Sequence, residues 1–580
     1  MPENRSVWKN HQIRMHVDVI DGLAAPTKLL KNASILHSYL KQWIRGNIWI
    51  YDDRIVYIGD RMPERIDQTE VTECSGLYIV PGYIEPHAHP FQLYNPQTLS
   101  RYAAQYGTTA LISDNLNLLF QKDQKKALTL LKHFHHQPYH HYWWARFDLQ
   151  SEVAEEDFIL SPDRVSDWLD QDCVLQGGEL TGWPSLAAGD DLMLDRIQEA
   201  KKKRKRVEGH FPGASEQTLT KMKLFGVDAD HEAMSGKEVY SRLLAGYTVA
   251  LRHSSIRPDL PKLLKEIKEL PIASYDHLFF TTDGATPAFY TDGVTNPLIK
   301  MALEEGIDPI DAYHMASFNI ARYYGLDHLL GSVTAGRYAT LNFLEDPAEP
   351  NPVHVMAKGE WLKWENADLQ KDKTDLPWQD LGFAPLTANW GLTMDDLQFS
   401  MPLGLHMVNG VIIQPYSVSL DLAADELPDN QDEAFLALID REGNWRINTV
   451  LKGFGNVKGL ASSFSATGDI LLIGKNKEDM IAAWKQMVEI GGGITVFENG
   501  RTVFEMPLEL NGTASVAPLP EMARQYTEFH ECLKERGYPF EDPVYTLFFL
   551  SSTHLPYVRI TPRGIFDVKK KTILFPSIMR

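Results

Sequence analysis

From residue 81 to about residue 330, short apolar runs alternate with helical patterns, and this alternation constrains the fold more than any other feature of the chain. Residues 99–106 have helical character and stop at Gly107, which suits the left-handed position just beyond a helix. TTALIS at 108–113 then reads as a buried strand. Residues 236–244 are helical, ending near Gly246, and 248–252 follow as a short strand. Asn296-Pro297 and Asp308-Pro309 each set a capping residue before proline at the first helical position. Such a succession calls for an α/β fold with a parallel sheet flanked by helices, most simply a (β/α)8 barrel over residues 81–330.

The flanks read differently. Residues 29–80 hold short strands, with a hairpin turning at Asp52-Asp53. Strand character returns at 331–363, and the two segments are expected to join in one small β-sandwich. Residues 364–400 are polar and read as a connection. Residues 401–580 are expected to form a C-terminal α+β domain. Its signals are a helix over 477–489 closed by Gly491-Gly492-Gly493, and a type I′ turn at Asn499-Gly500. Residues 1–28 form an N-terminal extension without the apolar stretch of a secretory signal. No run approaches the length of a membrane span, so a cytoplasmic protein is expected.

Composition narrows the chemistry. The chain has 20 histidines and only 3 cysteines, Cys74, Cys173 and Cys532, all far apart. A metal site would therefore use imidazole and carboxylate, not thiolate. The net charge of −20 argues against nucleic acid or an anionic membrane as partner. The basic run KKKRKR at 201–206 follows a helical pattern and reads as its solvated C-terminus. The cluster His133, His135, His136, His140 and His141 reads as a loop-and-helix surface. His314 and His328 fall in helical patterns, as packing or surface residues.

An apolar strand runs into His87-Ala88-His89. Side chains alternate along a strand, so both imidazoles point the same way and reach one ion. Four further strand-like runs end in ligand-type residues: Glu179, His210, His231 and Asp283. A barrel gathers the ends of its strands at one mouth, so the ordered set His, His, Glu, His, His, Asp points to a metal centre there.

This ordered set resembles the amidohydrolase superfamily, and most closely the prokaryotic adenine deaminases. The resemblance rests on the H-x-H pair, on Gly209-His210-Phe211-Pro212-Gly213, on Asp230-His231-Glu232, and on 308–326 and 331–337. The run from Glu478 to Gly493 is similar to the extra C-terminal domain of adenine deaminases. The resemblance implies that Glu179 bridges two divalent ions, manganese or iron with zinc as a third candidate. It implies that His87 and His89 hold one ion, that His210 and His231 hold the other, and that Asp283 completes the site. Adenine or a related aminopurine would be hydrolysed, with Glu232 protonating the ring nitrogen. Asp283 would move the water proton to the leaving amine. The sequence departs from that family at Ser463–Asp469 (SFSATGD), where a His-rich run is usual, at Leu451-Lys452-Gly453, and at Pro90-Phe91-Gln92. The alternatives are hydrolysis of another cyclic amide or N-acyl substrate, or a non-catalytic purine-binding homologue. A symmetric homo-oligomer, a dimer in the simplest case, is expected for an enzyme of this size. Residues 511–580 carry no recognised signal.

Overall fold

The computed structural model describes residues 8–121, 123–153, 155–369 and 375–580. Residues 1–7 of the N-terminal extension and 370–374 of the expected connection lie outside the described residues.

Eight parallel strands form the centre of the molecule. They are β1 (Tyr83–Ala88), β2 (Thr108–Ser113), β3 (His140–Ala145), β4 (Val174–Leu180), β5 (Arg206–Gly209), β6 (Ala229–Asp230), β7 (Thr248–Arg252) and β8 (Leu278–Thr281). Each pairs with the next in chain order. Between β8 and β1 a side chain closes the seam: the Glu85 carboxylate accepts from Thr281 Oγ1 at 2.7 Å and from Thr282 N at 3.0 Å. Strand alternation then separates two cores. Val249 and Leu251 of β7 pack outward with the helices, while Ala250 packs inward with Ile84, Ile112, Trp144 and Phe279. The outer helices have local reasons to form. Asn95 caps Pro96–Gln105 in a reciprocal pair with Thr98. Gly226, in the left-handed region at φ 113°, ends Glu216–Phe225.

One histidine expectation fails. His140 and His141 are not on a loop or surface; they open β3 and are buried. His140 Nε2 lies 3.2 Å from Thr340 Oγ1, and His141 Nδ1 lies 3.1 Å from Ser100 Oγ. Burial pushes the His141 imidazole down to about 3, so it packs as a neutral ring. The run HHYWWA is rich in aromatic residues and suits a buried strand.

Segments before and after the barrel share one nine-stranded sheet. Tyr78–Pro81 pairs antiparallel with Leu341–Leu344, so this sheet holds the chain where β1 begins. A second nine-stranded sheet lies in the C-terminal part. Its strand Glu433–Ile439 is buried on both faces: Leu436 and Leu438 pack to one side, Phe435, Ala437 and Ile439 to the other. Residues 375–399 pack along the way. Trp378, Leu381 and Phe383 join the barrel's outer core, and Leu386, Leu397 and Phe399 join the sheet's core. Ala514–Ser515 adds a short parallel strand to Leu93–Tyr94, and Asn95 Nδ2 donates to Ser515 O at 2.8 Å. The C-terminal part is thereby fixed against the loop that follows His89.

Candidate metal centre

All six expected ligands meet at the C-terminal mouth of the barrel. His87 ends β1 with His89 just past it, Glu179 lies near the end of β4, His210 follows β5, His231 follows β6 and Asp283 follows β8. Three triads have ligand atoms within 4.8 Å of one another: His87–His89–Glu179, His87–His231–Asp283 and Glu179–His210–His231. Glu179 spans the two histidine pairs with one oxygen for each. Its Oε1 lies 2.6 Å from His210 Nδ1 and 3.6 Å from His231 Nε2. Its Oε2 lies 3.8 Å from His87 Nε2 and 3.9 Å from His89 Nε2. Asp283 Oδ1 lies 3.2 Å from both His87 Nε2 and His89 Nε2.

Two glycines make this approach sterically possible. Gly178 has φ 111°, and a Cβ there would sit 2.5 Å from the Glu208 carbonyl oxygen. Gly284 has φ 56°, and a Cβ there would sit 2.6 Å from the His89 ring. Asp283 itself stands in the left-handed region at φ 46°, uncommon for a residue with a side chain.

A layer of carboxylates and guanidiniums surrounds the ligands, and of it only Glu232 was named from sequence. The Glu208 carboxylate faces two histidines at once, at 3.0 Å from His87 Nδ1 and 3.2 Å from His231 Nδ1. Asp114 Oδ2 lies 2.9 Å from His89 Nδ1. These contacts fix the outer nitrogen of each ring and turn Nε2 inward, the arrangement metal-binding histidines use. His87 Nε2 is fully buried and has no hydrogen-bond partner. A buried imidazole nitrogen without an aligned hydrogen bond, facing carboxylates at 3.2 and 3.8 Å, fits a divalent cation.

Guanidiniums hold the acids. Arg146 at the end of β3 donates to Asp114 at 2.7 Å and to Glu179 Oε2 at 3.1 Å. Arg252 pairs with Asp283 Oδ2 at 2.5 Å and also binds Glu232 Oε1; Arg257 binds Glu232 Oε2. Burial alone would raise these carboxyls. The charges of Arg146 and His210 outweigh it and hold Glu179 well below the usual range, and Arg252 and His231 do the same for Asp283.

The cavity over this centre measures about 480 Å³. The barrel supplies Phe91, Gln92, Met234 and Ile256 to its walls; Tyr545, Phe548, Phe549 and His554 come from the otherwise unassigned residues 511–580. Tyr545 Oη donates to Gly284 O at 2.9 Å, beside Asp283. Burial holds the His554 imidazole down at about 3, hence neutral, and its Nδ1 is buried without a partner. Of the three departures noted in the sequence, Pro90-Phe91-Gln92 lines this cavity. Thr467, Gly468 and Asp469 instead line a different one.

Comparison with known proteins gives the family. Residues 78–362 match the amidohydrolase family and residues 411–572 match the adenine deaminase C-terminal domain. The "Putative adenine deaminase YerA" of Bacillus subtilis is 56% identical, with 100% of both chains covered. A relative named "Putative adenine deaminase BH0637", from Halalkalibacterium halodurans, is 50% identical over 100% of both chains. Among solved structures, a β-aspartyl dipeptidase from Fervidobacterium islandicum aligns with TM-score 0.46 and 15% identity, covering 60% of this chain and 98% of that one.

Proposed function

The chain belongs to the adenine deaminase family of amidohydrolases, and on that premise we propose that it hydrolyses the exocyclic amine of adenine, or of a closely related aminopurine, using two divalent ions. The observation that carries this reading is the placement of Glu179, one oxygen toward each histidine pair. His87, His89, Glu179 and Asp283 would hold one ion; Glu179, His210 and His231 would hold the other. Manganese or iron suits this donor set, and zinc is compatible with it. Bound there, such ions supply the positive charge that makes water a nucleophile near neutral pH.

The protein's own groups do the rest. Asp283 takes a proton from the attacking water and passes it to the departing amine; Arg252 keeps its second oxygen in place. Glu232 is gripped at both oxygens by Arg252 and Arg257, which orient it; the charges of His210, Arg252, His231 and Arg257 outweigh burial and keep it ionised before substrate arrives. The proton it delivers to the ring nitrogen is therefore taken up with the substrate. The water oxygen bonds to C6, the C6–N bond breaks, the second water proton is released from that oxygen to solvent in exchange for the one Glu232 brought in, and hypoxanthine and ammonia leave. Phe548 and Phe549 wall the ring from solvent, and Gln92 and His554 line the same cavity.

A screen of aminopurines against cyclic amides with manganese-loaded protein, read by ammonia release, tests this reading. Ammonia from adenine is expected. Cyclic amide hydrolysis without any ammonia would favour the other amidohydrolase chemistry.

A further inference from the structure

Of the residues that the C-terminal part turns into the catalytic cavity, only Tyr545 and His554 carry polar side chains among the described residues. Tyr545 commits its hydroxyl to Gly284 O. His554 commits neither ring nitrogen, yet the loop that carries it is tightly fixed. Thr553 N donates to Gln150 O at 2.8 Å, Ser151 Oγ donates to Ser551 O at 2.7 Å, and the buried Arg559 donates to Ser552 O at 3.1 Å. The ring stands edge-on to His210, with centroids 5.9 Å apart, and to Phe549 at 6.2 Å. The fold therefore holds this imidazole in place before any substrate enters.

The two nitrogens have different surroundings. The residue is half-buried; Nδ1 is sealed off without a partner, and Nε2, which makes no hydrogen bond among the described residues, is left on the cavity side. A buried N–H without an acceptor is rarer than a buried acceptor without a donor, so the ring proton is assigned to Nε2. A doubly protonated ring would donate from Nε2 as well. The cavity thus receives a fixed donor whatever the charge of the imidazole.

Position in the barrel mouth gives this donor a target. The charged groups around His554 include His210, Glu179 and Arg146, which belong to the β3–β5 flank. Glu232, Arg252 and Arg257 belong to the β6–β7 flank. In adenine, C6 lies between N1 on one side and C5, bonded to N7, on the other. With C6 at the metal centre and N1 at Glu232, the N7 edge turns to the β3–β5 flank. N7 is an acceptor in adenine, which matches an N–H donor.

We propose that His554 Nε2–H donates to N7 of the purine and so selects substrates with an unsubstituted ring nitrogen there. The assignment rests on the deaminase reading and deepens it. A hydrogen bond at N7 also draws electron density from the ring and makes C6 more open to attack, so His554 should act on kcat as well as on KM.

Steady-state kinetics of the full-length, manganese-loaded protein test this with adenine, with 7-deazaadenine, where a C–H replaces N7, and with 3-deazaadenine as the control. Where an analogue is not turned over, its inhibition constant against adenine is read instead. Wild type should favour adenine over 7-deazaadenine by at least about ten-fold. His554→Phe should remove most of that preference by lowering kcat/KM for adenine, with the ratio of adenine to 3-deazaadenine unmoved. His554→Gln, which can keep an N–H near the same place, should retain part of the preference, and it is the independent variant if His554→Phe fails to fold. A 7-deazaadenine penalty that neither substitution changes overturns the assignment. So does a loss shared equally by adenine and both analogues, or a preference that moves for 3-deazaadenine instead. Those results in protein that releases ammonia from adenine leave the deaminase reading standing, whereas no ammonia from adenine in metal-loaded wild type overturns both.

Discussion

At the residue scale the centre depends on acids that touch no substrate. Glu208 holds His87 and His231 by their outer nitrogens, so its removal should release both rings from the inward orientation. Glu208→Gln should weaken metal affinity by roughly 10–100-fold, measured by competition with a chelator, with the circular dichroism spectrum unchanged. Undiminished affinity would show that the rings are positioned by packing alone. His87 and His89 were legible in the sequence because strand alternation is a local rule. Glu208, Asp114, Arg146 and Arg252 were not, because their partners lie across the barrel. His87 and Glu208 are 121 residues apart, and nothing local in either segment marks the pair. The histidines at 140 and 141 were misread for the opposite reason. A dense histidine cluster reads locally as a surface, whereas Tyr142, Trp143 and Trp144 beside it carry the pattern of a buried strand.

At the scale of elements, the helix Pro543–Phe549 and the loop to His554 close the cavity from the C-terminal end of the chain. Sequence assigned this segment no role, since it carries no ligand-type spacing and works only by where it packs. Its tie to the barrel is the hydrogen bond from Tyr545 Oη to the carbonyl of Gly284, next to a strained Asp283. Losing that bond should cost about 1 kcal/mol of positioning. Tyr545→Phe should therefore lower kcat/KM about five-fold, with Tm within about 2 °C of wild type. Equal kcat/KM for the two proteins would mean that the turn at Gly284 needs no support from the C-terminal helix. The barrel itself was legible from its alternation of elements. The packing of 375–399 onto two cores was not, because its apolar residues are spread through a polar stretch without period.

At the scale of the whole molecule, the interface between barrel and C-terminal sheet adds a pH dependence of its own. Asp469 is buried there, and burial raises its carboxyl from 3.8 to about 7. Between those values the native protein keeps a proton that the unfolded chain has released. The stabilisation is complete below about pH 4 and is lost as pH rises toward 7. Asp469→Asn should flatten that decline in a Tm-versus-pH series, and an unchanged slope would place the titration elsewhere. The central claim is that the six convergent side chains form a metal centre that deaminates adenine, and ammonia release is its most direct measure. Wild-type protein loaded with manganese or iron should yield one ammonia per hypoxanthine formed. Glu179→Gln, which removes the charge between the histidine pairs, should lose at least about 10³-fold in rate. Full activity in Glu179→Gln, or no ammonia from metal-loaded wild type, would contradict the account.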